Sequence, residues 1–236
     1  MLHTDTIGLL KGYVSAQQYG TAEGKRPRPQ PFVTISREAG AGCRVICEKL
    51  IEILRREDKT AASTWLWFDR DLIDRVIKEH GLPEPVVRAM LGGRYSRLLE
   101  SVDELLGKYP TWSTVTRKTS ETILNLAQLG NVILVGRGAH MVTRMLPSGV
   151  SVRLIGSLSR RTQHLQDIHG MTRDEARKHI EFEDRSRAAH VRDQFGVDIA
   201  DCTRYAILIN TDFVDYGDAA RIIADQVLRM RDRLER

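Results

Sequence analysis

Three short stretches of this chain hold side chains whose types and spacing suit phosphate chemistry. The first is TISREAGAGCR, Thr34 to Arg44, in which an apolar run leads into Gly40 and Gly42 and then into a helical pattern near Cys43. A strand, a glycine-rich turn and a helix N-terminus make an anion site in that order, because backbone N–H groups point outward and the helix dipole favours negative charge. Against the phosphate-loop pattern G-x-x-x-x-G-K-[ST], Gly42 supplies the second glycine. Arg37 stands at the first glycine, Cys43 at the lysine and Arg44 at the hydroxyl residue. A tight turn without a ligand is the plain alternative for this stretch taken alone.

The second stretch is VILVGRGAH, where a strand-like run ends on Gly136, Arg137 and Gly138. An arginine at a strand's carboxyl end suits bidentate phosphate recognition, although an ordinary surface arginine in a turn reads the same way. The third is EDRSR, which places Asp184, Arg185 and Arg187 on a helical pattern, with Arg160 and Arg161 at the start of the preceding one. Phosphoryl transfer needs such groups, since negative charge spreads over the transferring oxygens and the protein's task is positioning and neutralisation. Arg173, Arg177 and Arg192 read as solvated helix charges. The seven histidines form no catalytic or metal constellation. Cys43 and Cys47 fall a helical turn apart with no histidine to complete a zinc set, so these and Cys202 read as reduced, structural thiols.

Composition limits the partners. The chain has 236 residues, 42% hydrophobic and 28% charged, enough to bury a proper core. No apolar run reaches the ~20 residues of a membrane span, and the N-terminus lacks the pattern of a secretory signal, so the cytoplasm is the expected compartment. A net charge of +5 and a pI of 9.2 imply an anionic partner. The arginines concentrate between Ser159 and Phe195 but are interleaved with Glu and Asp. That partner could be nucleic acid, a membrane surface or a small phosphorylated ligand, but a nucleic-acid face would more often be a continuous basic stripe with exposed aromatics, and neither is evident here.

The elements that must position these residues alternate. FVTIS, TWLWF, NVILV, SVRLIG and YAILIN read as five strands, nearly continuous in apolarity, as expected when both faces of a parallel sheet are covered. With helices between them they make a doubly wound α/β domain. CRVICEKLIEILRRE places Val45, Ile46, Leu50, Ile51 and Leu54 on one helical face, a first crossover helix. Residues 71–129 read as several helices, DLIDRVIKEH, EPVVRAM, YSRLLESVDELLGKY and SETILNLAQL, forming a lobe over the sheet's carboxyl edge, where open α/β sheets bind ligands. Residues 157–195 read as paired charged helices, a closing flap. Residues 1–30 read as a short helix and a basic, Pro-rich linker, with a docking segment as the alternative.

Together TISREAGAGC, FDRDLI, NVILVGRGAHMV, EFEDRSRAAHVRDQF and YAILINTD, in this order and spacing, resemble the cytidylate kinase-like proteins, a divergent branch of the P-loop nucleoside monophosphate kinases. The resemblance runs from Phe32 to about Val227. It implies a P-loop NTPase-like five-stranded parallel core over residues 31–236, a monophosphate-binding insert at 71–129, a lid at 157–195, and transfer of the ATP γ-phosphate to a nucleoside monophosphate such as CMP, dCMP or UMP with Mg2+. It assigns donor phosphates to the turn through Ser36, Ala39, Gly40, Ala41, Gly42, Cys43 and Arg44. Arg37 or Arg44 replaces the lysine's charge, Arg137 meets the acceptor phosphate, Arg185 and Arg187 close from the lid, and Asp69, Arg70 and Asp184 lie on the acceptor side. The metal ligands stay unassigned. The chain departs from the family's kinases where they carry an aspartate after the GR arginine, for it has Gly138. A non-catalytic nucleotide-binding module with a degenerate loop is the alternative function, and nucleic-acid binding driven by net charge a third.

Overall fold

The computed structural model describes residues 29–59, 65–69 and 114–236. The expected N-terminal helix and linker, the first three helices of the 71–129 lobe, and Arg70 lie outside the described residues. Five strands, β1 Phe32–Arg37, β2 Leu66–Phe68, β3 Val132–Val135, β4 Gly149–Ile155 and β5 Ile207–Asn210, form one sheet in the order β2-β3-β1-β4-β5. Every pairing is parallel. The chain leaves β1 for the β2 edge, returns through β3, and then crosses to β4 on the other side. The carboxyl end of β1 is therefore the point where the strand order reverses, the crevice in which open α/β sheets hold ligands.

Two cores cover the two faces. Val33, Ile35, Val150, Val152, Leu154 and Ile209 pack against α1 (Cys43–Glu57) and α6 (Tyr216–Glu235). Phe32, Val132 and Leu134 pack on the opposite face against α2 (Thr114–Leu129) and α3 (Ala139–Val142). Side chains alternate between faces along a strand, so Thr34 and Ser36 follow Phe32 to the second face. Each fully buried aliphatic side chain contributes about 1.5–3 kcal/mol, and these cores hold the sheet's carboxyl edge in place. The crossover helix α1 has the expected bounds. Its buried face is Ile46, Cys47, Leu50, Ile51 and Leu54. Val45 is only half-buried, and Cys47 takes the place in the core that periodicity gives to Val45.

The charged segment forms α4 (Leu158–His169) and α5 (Arg173–Phe195). A capping box fixes the start of α5: Thr172 accepts from the Glu175 N–H, and the Glu175 carboxylate accepts from the Thr172 N–H. A left-handed Gly196 ends it. At 23 residues the helix is about 35 Å long, and it buries only Ala176, Ile180 and Val191. No described helix is long and apolar enough to cross a membrane.

Candidate functional site

The turn between β1 and α1 passes through two left-handed glycines, Gly40 at φ 79° and Gly42 at φ 74°. Shape as well as backbone requires them. A Cβ on Gly40 would stand 2.6 Å from the Arg161 carbonyl oxygen, and one on Gly42 would fall inside the Tyr216 ring's contact distance. The turn is thus packed by α4 on one side and by the start of α6 on the other. Its amides have partners: Ala39 N–H donates to Asp184 Oδ1 at 2.7 Å, and Ala41 N–H donates to the Glu38 carbonyl at 3.3 Å. Asp184 is therefore a stand-in anion on the loop, and its bond shows that the Ala39 N–H is aimed at a negative group. The resemblance puts Asp184 on the acceptor side; the structure places it against the glycine turn after β1.

Arg161 holds this arrangement together. Its Nη1 donates to Asp184 Oδ2 at 2.6 Å and to the Ala39 carbonyl at 3.0 Å, its Nε donates to the Gly156 carbonyl at 2.8 Å, and Glu38 lies 3.4 Å away. The sequence counts Arg161 among the positive charges facing a ligand. The structure buries it and spends its charge on two carboxylates.

Of the two arginines offered in place of the lysine, Arg44 is exposed and pairs with Glu48 one helical turn on, at 3.0 Å. Arg37 runs the other way, its guanidinium lying over Gly136 so closely that a Cβ there would displace it. Cys43, at the lysine's place, has its Sγ 4.0 Å from that of Cys47. The Cys47 S–H pulls the Cys43 thiol below its ordinary range against burial; Arg37 and Arg187 also lower it, and Asp69 opposes them. All three cysteines are free.

Between the ends of β1 and β3 and the middle of α5 lies a cavity of about 100 Å³. Arg37, Arg137 and Arg187 line it together with Ser36, Ser186, His140 and His190, and Val191 and Ile199 add an apolar wall. No carboxylate is among its described lining residues, so the crowded guanidinium groups favour an oxyanion. Arg187 is held by Glu183 at 2.8 Å and donates to the Arg37 carbonyl at 3.3 Å. Burial and the neighbouring Arg37 cation push its pKa down, a crowding that a bound anion relieves.

Arg137 has φ 52° between left-handed Gly136 and Gly138. For a residue with a Cβ this backbone costs about 1–2 kcal/mol and persists only where the surroundings enforce it. The Ala39-side turn and this one are positioned by the same sheet edge: Gly136 N–H donates to the Ile35 carbonyl at 3.0 Å. A Cβ on left-handed Gly138 would stand 2.3 Å from the Phe195 ring, so a side chain there requires a strained backbone and a shift of that ring.

His140, in α3, stacks on Tyr205 with ring centroids 4.9 Å apart, its Nε2 3.3 Å from the phenolic oxygen. Tyr205 O–H donates to the Ile199 carbonyl at 2.8 Å, which assigns the proton between them to His140 Nε2. Burial, then the Arg153 and Arg204 cations, lower the His140 pKa to about 4. It is neutral near pH 7 and serves as a hydrogen-bonding wall.

The structure therefore brings together Ser36, Arg37, Arg137 and Arg187. It leaves Arg185 exposed on α5, turns Arg44 to solvent, and gives Asp184 to the loop. His140, His190 and Ser186 are cavity residues that pattern reading missed. His140 had a signal, lying one turn beyond Arg137 in GRGAH, whereas nothing local marks His190. As for magnesium, no three His, Cys, Asp or Glu side chains among the described residues form a metal-binding group. The carboxylates flanking the loop, Glu38 and Asp184, are both tied to Arg161. The described residues do not fit the ion on their own.

Comparison with solved structures places the fold. A crystal structure of an uncharacterized protein from Eubacterium ventriosum ATCC 27560 superposes with a TM-score of 0.65 at 19% identity, covering 85% of this chain and 99% of that one. Shikimate kinase from Bacteroides thetaiotaomicron matches at a TM-score of 0.44 and 14% identity, covering 84% of this chain and 98% of its own. TT1252 from Thermus thermophilus matches at 0.45 and 15%, covering 86% and 98%. The last two are too distant to carry an argument. Comparison with curated proteins finds no match. The model of the cytidylate kinase-like family matches residues 32–213, from the first residue of β1 to just beyond β5. That span takes in both glycine turns and the cavity between them, and the chain belongs to the cytidylate kinase-like family.

Proposed function

We propose that the chain transfers the γ-phosphate of ATP to a small acceptor that already bears a phosphate, a pyrimidine nucleoside monophosphate of the CMP, dCMP or UMP type. The observation that carries this reading is the cavity at the strand-order reversal, where Arg37, Arg137 and Arg187 converge with no carboxylate among the described lining residues, Glu183 pairing with Arg187 from outside it. The acceptor's phosphate sits there, and its own oxygen is the nucleophile, so no serine or histidine base is needed. The arginines position that oxygen and neutralise the transferring group. The donor phosphates take the Ala39 N–H that Asp184 now holds, one anion replacing another. Arg37 is better placed than Arg44 to supply the missing lysine's charge, because Arg44 is committed to Glu48 on the solvent side.

A second reading has its own observation. The carboxylate on the Ala39 N–H and the packing of Gly40 against Arg161 keep the loop closed, as in a non-catalytic nucleotide-binding module. Two measurements separate the readings. Under the kinase reading, ADP release from ATP depends on added CMP, dCMP or UMP and falls about 10²–10³-fold in Arg137→Ala, the usual cost of removing one preorganised oxyanion donor. Under the module reading, calorimetry gives saturable ATP or CMP binding while no phosphoryl group moves across a full panel of nucleotide and small alcohol acceptors.

A further inference from the structure

Three arginines are buried in the described protein, and the fold treats one of them differently. Arg161 is matched by Asp184 and Glu38. Arg231 is matched by Asp58 and also donates to Asn131 and Gln30, although its Nε, like that of Arg153, is buried with no hydrogen-bond partner. Arg153, in the middle of β4 and only 6% exposed, has no carboxylate partner among the described residues. Its Nη1 donates to Ser36 Oγ at 2.8 Å, and its Nε is buried with no hydrogen-bond partner. The side chains in its hydrogen-bond network are neutral, namely Ser36, the Tyr205 phenol, and His140, which burial and the Arg153 charge keep unprotonated; the Asp198 carboxylate and the Arg204 cation act on Tyr205 from farther out. A buried, unpaired guanidinium is among the costliest groups a protein can fold around.

The place of that charge explains why the fold retains it. Ser36 and Arg153 are register partners on neighbouring parallel strands, and both face away from the α1–α6 core. Ser36 also lines the cavity. Because its oxygen accepts from Arg153, its hydroxyl proton is left for an acceptor on the cavity side; Tyr205 O, at 3.4 Å, is a long alternative. We infer that Arg153 is the built-in countercharge of the cavity's ligand, acting through Ser36 as a positioning residue for a dianionic phosphate group. This rests on the reading of the cavity as an oxyanion site. It adds that the site is incomplete when empty: the negative charge that Arg153 lacks arrives with the ligand, so a phosphate is favoured over a singly charged carboxylate.

The experiment compares wild type, Arg153→Met and Arg153→Lys by thermal melting and by calorimetric titration with inorganic phosphate and with CMP. Wild type binds phosphate and melts higher in its presence. Arg153→Met melts at or above the wild-type temperature without ligand, because a buried unpaired charge has been removed, yet binds phosphate roughly 10–100-fold more weakly, as expected for loss of a charge-assisted contact. Arg153→Lys recovers part of the affinity. Unchanged phosphate affinity in Arg153→Met overturns the countercharge role while leaving the oxyanion cavity standing. A lower ligand-free melting temperature with proportionally reduced binding marks Arg153 as structural and overturns it too. No phosphate or CMP binding by wild type, on the other hand, rejects the cavity itself.

Discussion

His140 shows how far a single side chain is set by its surroundings. It is buried against Tyr205 near the Arg153 cation, and its pKa falls to about 4 from the ordinary 6.5. The unfolded chain therefore binds one more proton than the native one between those two values. The stabilisation is complete above pH 6.5 and is lost as the pH falls toward 4, by at most roughly 3 kcal/mol. Urea melts at pH 7 and pH 4.5 check this: the drop in stability should be smaller in His140→Gln than in wild type, and equal drops would remove His140 as its source. At this scale the sequence was partly legible. Helical spacing from Ile180 runs through Asp184, Arg187 and Val191, the stripe that meets the loop and cavity, and leaves Arg185 off it. Arg153 was the lone charge in the apolar run SVRLIG, a visible anomaly whose partner on β1 only strand register supplies.

At the scale of elements, the loop after β1 is a junction of four pieces of chain. Its glycines are required by backbone and by space together, which distinguishes them from a glycine required by backbone alone. Gly40→Ala forces a left-handed alanine against the Arg161 carbonyl, whereas Gly170→Ala at the end of α4 has φ 65° and nothing within 4 Å. Chemical denaturation should show a loss of about 1–2 kcal/mol for the second and clearly more for the first. Equal losses would show that α4 does not pack on the loop. Asp184→Ala frees the Ala39 N–H and removes one of the two carboxylates on Arg161. It should lower stability by about 1–3 kcal/mol while tightening ATP binding in a calorimetric titration; weaker ATP binding would argue that Asp184 is not a stand-in for phosphate. The strand runs, the crossover helix and the paired charged helices of residues 157–195 were readable because period and capping are local. The closure of the loop was not, since it depends on Asp184 and Arg161, 145 and 122 residues away from Ala39 in sequence.

Across the whole molecule, charges are handled differently at the two ends of the sheet. Near the amino ends of the strands, Arg231 of α6 joins Asp58 after α1 and Asn131 before β3, while Trp65 Nε1 donates to the same Asp58 carboxylate at 2.9 Å. Asp58 is buried, so Arg231→Leu breaks a buried ion pair and should cost about 3–5 kcal/mol; adding Asp58→Asn should return part of the loss. Denaturation midpoints of the single and double variants check that coupling. At the carboxyl ends, by contrast, Arg37, Arg137 and Arg187 line a space with no carboxylate among its described lining residues, and the buried Arg153 stands behind Ser36, an arrangement suited to a ligand that brings negative charge. The most direct measurement is product identification after incubating the chain with ATP, magnesium and a mixed panel of nucleoside monophosphates. The account predicts a pyrimidine monophosphate carrying one additional phosphoryl group, in step with ADP, and none from Arg137→Ala. An unchanged panel alongside saturable ATP binding would contradict it.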